Sequence, residues 1–192
     1  MVKNCWKPTF AMFISFTSKI KFASFKTRKM VATGLILSTL TYIIQVYGGC
    51  SGYLLATLQV LQNKAARCVT WLPWMTSTST QLTQCGWLCI KQLIMFHSLV
   101  LIYKVKMDKK PDYIYQHIGE MQGRNTRQEA ERVGSNLLRD VRNMEKETAK
   151  RTFIPRTIED WNSLPVRLRE INSLTLFKKE LKQWIRESIP VR

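Results

Sequence analysis

Residues 1–107 contain neither aspartate nor glutamate; the first acid is Asp108. Paired-carboxylate hydrolysis and carboxylate-held magnesium are therefore excluded from that stretch. Several other signatures are missing. No GxxxxGK[ST] or GxGxxG loop, no HExxH helix, no GxSxG elbow and no C2H2 finger spacing occurs. Sustained period-two alternation is absent, and with it the usual sign of half-buried strands. Glycine and proline are few, eight and six among 192 residues, which excludes a collagen-like or proline-rich chain. The five cysteines (Cys5, Cys50, Cys68, Cys85 and Cys89) are odd in number. Lys7, Lys19, Lys21 and Lys26 interrupt any early apolar run that could serve as a secretory signal. Free thiols in a reducing, intracellular setting are the expectation. Cys85-x-x-x-Cys89 with His97 invites a metal reading, but the spacing lacks two close ligand pairs. Gly86, Trp87 and Leu88 between the two thiols read as core, so no metal is expected.

What the chain does have is positive charge on an apolar framework. Lys and Arg number 30 against 13 Asp and Glu, a formal net charge of +17. Apolar residues make up 45%, too many for a disordered polybasic tail. Twelve of the basic residues fall in the acid-free first 107. Such a surplus favours an anionic partner, either nucleic acid or an acidic membrane surface.

Three segments follow from composition. Residues 1–29 form a basic arm with Trp6, Phe10, Phe13, Phe16, Phe22 and Phe25 interleaved. This mixture suits base stacking and phosphate contact, though packing on neighbouring protein is the preferred reading. Residues 30–107 form an apolar helical core. In Val31–Tyr47 a polar stripe, Gly34, Ser38, Thr41 and Gln45, lies beside an apolar one, Ala32, Ile36, Leu40, Ile43 and Tyr47. The segment reads as one helix buried on most sides, with a membrane span as the alternative. A second helix begins near Tyr53. Leu54, Leu58, Leu61, Ala65 and Val69 form its apolar face, and Gln62, Asn63, Lys64 and Arg67 are polar. Pro73 and 76–80 read as a connection. A third helix, about 89–107, points Ile90, Leu93, Ile94, Phe96, Val100 and Leu101 inward, with His97 as a core histidine. Residues 108–192 are a polar, basic linker followed by C-terminal helices. Thr157 is expected to cap one helix; Pro165 starts another. Ser173 caps the last, whose apolar face is Leu174, Phe177, Leu181, Trp184 and Ile185 and whose other side carries Lys178, Lys179, Lys182 and Arg186. The expected fold is all-α: an irregular bundle of about four to six helices with long loops.

Several phrases, in order, resemble the C-terminal end of a jockey-like non-LTR retrotransposon reverse transcriptase. They are Ser38-Thr-Leu-Thr-Tyr42 with Tyr47-Gly-Gly49, Leu58-Gln-Val-Leu-Gln-Asn-Lys-Ala-Ala-Arg67, Gly86-Trp-Leu88, Tyr103-Lys104, Lys110-Pro-Asp-Tyr113, Thr126-Arg127, Trp161-Asn-Ser-Leu-Pro165 and Phe177-Lys-Lys-Glu-Leu-Lys182. The LQxxQNKAAR and WNxLP phrases are the specific ones. The resemblance spans about residues 28–190; residues 1–27 match poorly, and Tyr47 stands where the family usually has tryptophan.

The resemblance implies a thumb-like helical region, incomplete on its own, that clamps template and primer beside a polymerase. In that family the catalytic carboxylates sit in an F/Y-x-D-D motif upstream. No Asp-Asp pair exists in this chain, so no catalytic residue, metal or cofactor is expected. The implied partners are the RNA or DNA backbone and the missing polymerase domain. Lys64 and Arg67 on the second helix, with Lys178, Lys179 and Lys182 on the last, are the candidate phosphate contacts. A small membrane-anchored basic protein, and a product without selected function, are the competing readings.

Overall fold

The computed structural model describes residues 22–42, 44–73, 75–118, 138 and 152–189. Every regular element among them is helical, and the fold is all-α. The aromatic arm up to residue 21, Ile43, Trp74, Pro190 and the polar stretch 119–151 apart from Leu138 lie outside the described residues. The described residues divide into two compact units, 22–44 with 50–93 and 45–49 with 94–189.

The first unit opens with α1 (Phe25–Ala32), capped by the Ser24 hydroxyl accepting the Thr27 N–H at 3.2 Å. A π-helical turn, Thr33–Leu37, leads into α2 (Ser38–Thr41). Tyr42 then turns extended (φ −63°, ψ 121°), and the helix resumes only as α3 (Ile44–Tyr47). The single helix expected over 31–47 is therefore broken. Thr33, Ser38, Thr39 and Thr41 each donate a hydroxyl hydrogen bond to the carbonyl four residues earlier. Such bonds compete with the backbone ladder and bend helices. Of the apolar stripe, Ala32, Ile36, Leu40 and Tyr47 are buried as expected. Of the small polar stripe, Gly34 and Ser38 are exposed while Thr41 and Gln45 are half-buried, and a Cβ on Gly34 would meet nothing within 4 Å. Among the described residues no single helix is long and apolar enough to cross a membrane. Thr78–Cys85 and Ile90–Asp108 reach that criterion only as a pair bent by 41°.

Next come α4 (Gly52–Thr70) and α5 (Thr78–Cys85). The latter occupies what the Ser/Thr run suggested was a connection. Ser77 caps it by accepting the Thr80 N–H at 3.2 Å. Gly86 ends it in the left-handed region (φ 67°), and the Trp87 N–H reaches back to the Leu82 carbonyl at 2.9 Å. Trp87, Leu88, Cys85 and Cys89 are core residues. The long α6 (Ile90–Asp108) is buried around most of its circumference. Leu99, Ile102, Tyr103 and Val105 are covered, whereas Phe96 and Leu101 are only half-buried. A helix enclosed this widely shows no single apolar stripe.

The second unit holds α3 from Gln45 onward, the rest of α6, α7 (Asp112–Ile118), α8 (Phe153–Asn162), α9 (Val166–Arg169) and α10 (Leu174–Ser188). Trp161 and Phe177 are wholly buried, their rings 6.0 Å apart, and Phe177 stacks on Tyr103 at 4.4 Å. The Asn162 amide exchanges two 3.0 Å hydrogen bonds with the Leu138 backbone, as a strand neighbour would. Thr157 does not cap α8, which begins at Phe153 after Thr152. Pro155 is accommodated in the first turn, where its missing N–H has no intrahelical partner anyway. Thr157 is instead buried, its hydroxyl donating to the Phe153 carbonyl. Ser173 does precede α10, although its side chain makes no capping bond. On α10 Phe177, Leu181 and Ile185 are buried; Leu174 and Trp184 are half-buried.

Asp160 on α8 carries a pH dependence. Burial pushes its carboxyl up to about 6 from 3.8, opposed by Arg156 and reinforced by Glu159. The Arg156 guanidinium is itself buried without a hydrogen-bond partner among the described residues. Between pH 3.8 and about 6 the folded carboxyl keeps its proton while the unfolded one has lost it. Folding takes up a proton there, so this group's contribution falls as pH rises through that window. Burial, then the Lys178 charge, lowers His97 below 6.5, which acts in the opposite direction. Comparing wild type with Asp160→Asn cancels the histidine effect. The variant is expected to gain stability over wild type on going from about pH 4 to pH 7, read from urea midpoints.

Candidate nucleic-acid interface

Helix α4 sorts its residues into two faces. Leu58, Gln62, Ala65 and Val69 recur at helical spacing and are buried. Gln62 thus stands inside, on the face assigned above to apolar side chains, and Leu61 is only half-buried. The burial is compensated. Gln62 donates to the Leu88 carbonyl at 2.7 Å and accepts from the Gln59 amide at 2.9 Å. Gln59 also donates to Asn63 at 2.8 Å and accepts the Ile90 N–H at 2.8 Å. The amide-rich part of the LQxxQNKAAR phrase therefore ties α4 to the start of α6, satisfying an N–H that a helix start leaves open. Gln92 completes this end by accepting the Cys89 N–H at 2.9 Å.

The opposite face of α4 is open to solvent. Lys64 and Arg67 are exposed on it, three residues apart and so on one side of the helix. The described residues of their own unit hold side-chain charge of one sign. The described part of the first unit contains Lys26, Arg28, Lys29, Lys64, Arg67 and Lys91 and no Asp or Glu. No carboxylate side chain in that unit competes with an incoming phosphate for these cations.

The C-terminus of α4 adds an aromatic group. Trp71 ends the helix in the left-handed region (φ 55°, ψ 24°), with its N–H bonded to the Arg67 carbonyl at 2.9 Å. That conformation costs a non-glycine residue about 1–2 kcal/mol; α5 places glycine in the same role. Arg28 supports the turn. Its Nε donates to the Val69 carbonyl at 3.0 Å, another guanidinium nitrogen donates to the Ala23 carbonyl at 2.9 Å, and the guanidinium lies 5.5 Å from the Trp71 ring centroid. Trp71 remains 49% exposed and Tyr53, at the other end of the helix, 73%. Neither was singled out from sequence; Tyr53 shares a helical register with Lys64 and Arg67, whereas Trp71 lies beyond the helix and carries no such signal.

The second candidate group behaves differently. Lys178 and Lys179 are exposed on α10 and Lys182 is half-buried. Glu180 and Glu187 share that helix, and Glu180 pairs with Arg167 at 2.8 Å. The α10 lysines thus work within a mixed field, and they belong to the second unit while Lys64 and Arg67 belong to the first. Elsewhere, the Cys85 thiol is pushed up to about 11 by burial, against the opposing charge of Lys29, and is a poor nucleophile. Among the described residues no group of three or more His, Cys, Asp or Glu is placed to hold a metal ion. Comparison with protein families, curated proteins and solved structures finds no match to this chain.

Proposed function

We propose that the chain is a non-catalytic helical module of the kind that follows the polymerase in jockey-like non-LTR retrotransposon reverse transcriptases, and that it holds RNA or DNA by the phosphate backbone. The observation that carries this reading is the exposed pair Lys64 and Arg67 on a unit with no Asp or Glu among its described residues. Two cations on one helix face can straddle neighbouring phosphates, and with no base-reading motif present the contact is insensitive to sequence. Chemistry would belong to a polymerase partner, whose positioned carboxylates and magnesium this chain does not supply. The role left to the chain is to keep template and primer in place.

Phosphate contacts release counterions, so affinity falls steeply with salt. Replacing Lys64 and Arg67 together by glutamine is expected to reduce the slope of log K against log salt on duplex DNA by roughly 1.8, about 0.9 per phosphate contact. Fluorescence anisotropy across a salt series reads this directly. An unchanged slope would assign both residues to ordinary solvation. The same titration on Lys178→Ala, Lys179→Ala and Lys182→Ala combined is expected to show a smaller change, because Glu180 and Glu187 share their helix.

A further inference from the structure

Reading on from the proposed backbone contact, we infer that the exposed face of α4 grips single-stranded nucleic acid, with Trp71 and Tyr53 stacking bases at either end and Lys64 and Arg67 holding the phosphates between. Tyr53, Thr57, Val60, Lys64 and Arg67 fall at i, i+4, i+7, i+11 and i+14, one stripe along the helix, and all five are exposed; Trp71, 49% exposed, follows at the C-terminal end of the helix, where the left-handed backbone sets its own direction. The eighteen-residue span corresponds to about 27 Å at 1.5 Å per residue. An aromatic residue thus stands at each end of α4, and the charges of its exposed stripe lie between them. A duplex keeps its bases stacked internally and offers such a surface its phosphates alone. A single strand offers phosphates and open base faces together, the combination this stripe complements.

The placement of Trp71 strengthens the case. It stands where the backbone turns left-handed, which a bulky residue adopts at a penalty. The residue nevertheless remains 49% exposed, with the Arg28 guanidinium held 5.5 Å from its ring centroid by hydrogen bonds to two backbone carbonyls. A cation fixed beside a half-exposed ring adds electrostatic attraction for a stacked nucleotide.

The left-handed turn also makes the test clean. Trp71→Gly and Trp71→Asn remove the ring while suiting the backbone, so both variants are expected to fold. Each would be titrated against a labelled oligothymidylate of about 15 nucleotides and a duplex of equal length. The expected result is a loss of single-strand affinity of roughly 5- to 100-fold for either variant, with duplex affinity within about twofold of wild type. Tyr53→Ala is expected to act in the same direction. Equal losses on both ligands, or no loss on the single strand, overturn the inference and return the two aromatics to a protein-facing role. If wild type binds duplex and single strand equally with a steep salt dependence, backbone holding stands and stacking fails. If it binds neither, both fail.

Discussion

Replacing Trp161 by alanine is expected to remove about 3–5 kcal/mol from the stability of the second unit. The indole is fully buried, tilted against Phe177 at 6.0 Å, and Phe177 in turn stacks on Tyr103 at 4.4 Å. The Lys106 ammonium lies 5.7 Å from the Trp161 ring centroid and loses that partner as well. Large-to-small substitution forfeits the transfer free energy of the ring and leaves a cavity that the surrounding helices fill only in part. Domains of this size have a margin of only about 5–15 kcal/mol, so the variant should be largely unfolded at moderate urea. Trp161→Phe, which keeps an aromatic ring in the site, is expected to cost less, about 1–2 kcal/mol. A Trp161→Ala loss below about 1 kcal/mol would place this side chain outside the cooperative core.

The final helix was the most legible part of the sequence, and the reason is physical. In α10 the residues Phe177, Leu181 and Ile185 recur at helical spacing between charged neighbours, and only one burial pattern satisfies them. The same holds for Leu58, Ala65 and Val69 on α4. Legibility fails where a polar side chain has two possible uses. Ser77 and the threonines after it read as loop until Ser77 is seen to cap α5. Thr157 reads as a cap, but its hydroxyl bonds back within α8. The break at Tyr42 carries no proline or glycine to announce it; the hydroxyl bonds upstream are visible only once the backbone is drawn. On the candidate interface Lys64 and Arg67 could be read from charge alone. Trp71 could not, because a tryptophan after a helix is by default a packing residue and only its left-handed backbone and exposure distinguish it.

Gln62 is the sharpest case of this ambiguity, and its substitution carries the second large expected effect. Gln62→Glu changes one atom's chemistry with almost no change in volume. The amide nitrogen that donates to the Leu88 carbonyl at 2.7 Å becomes an acceptor facing an acceptor, in a side chain with no solvent exposure. Gln59 can still donate to one glutamate oxygen, but the Leu88 carbonyl loses this donor and the new charge has no cation assigned to it. A buried uncompensated charge costs about 3–5 kcal/mol, so the first unit is expected to be severely destabilised at pH 7. The sign of its pH dependence is fixed by the same argument. The folded environment raises the new carboxyl above the ordinary glutamate value of about 4.3 and favours its protonated form. The deficit relative to wild type should therefore shrink as pH falls toward about 4. Gln62→Leu removes the charge problem but leaves the carbonyl short of a donor, and is expected to cost about 1–3 kcal/mol with no added pH dependence. Urea denaturation of the three proteins at two pH values separates the effects. A Gln62→Glu deficit that is small, or that does not ease in acid, would mean the position is hydrated and that α4 is not tied to the start of α6 through it.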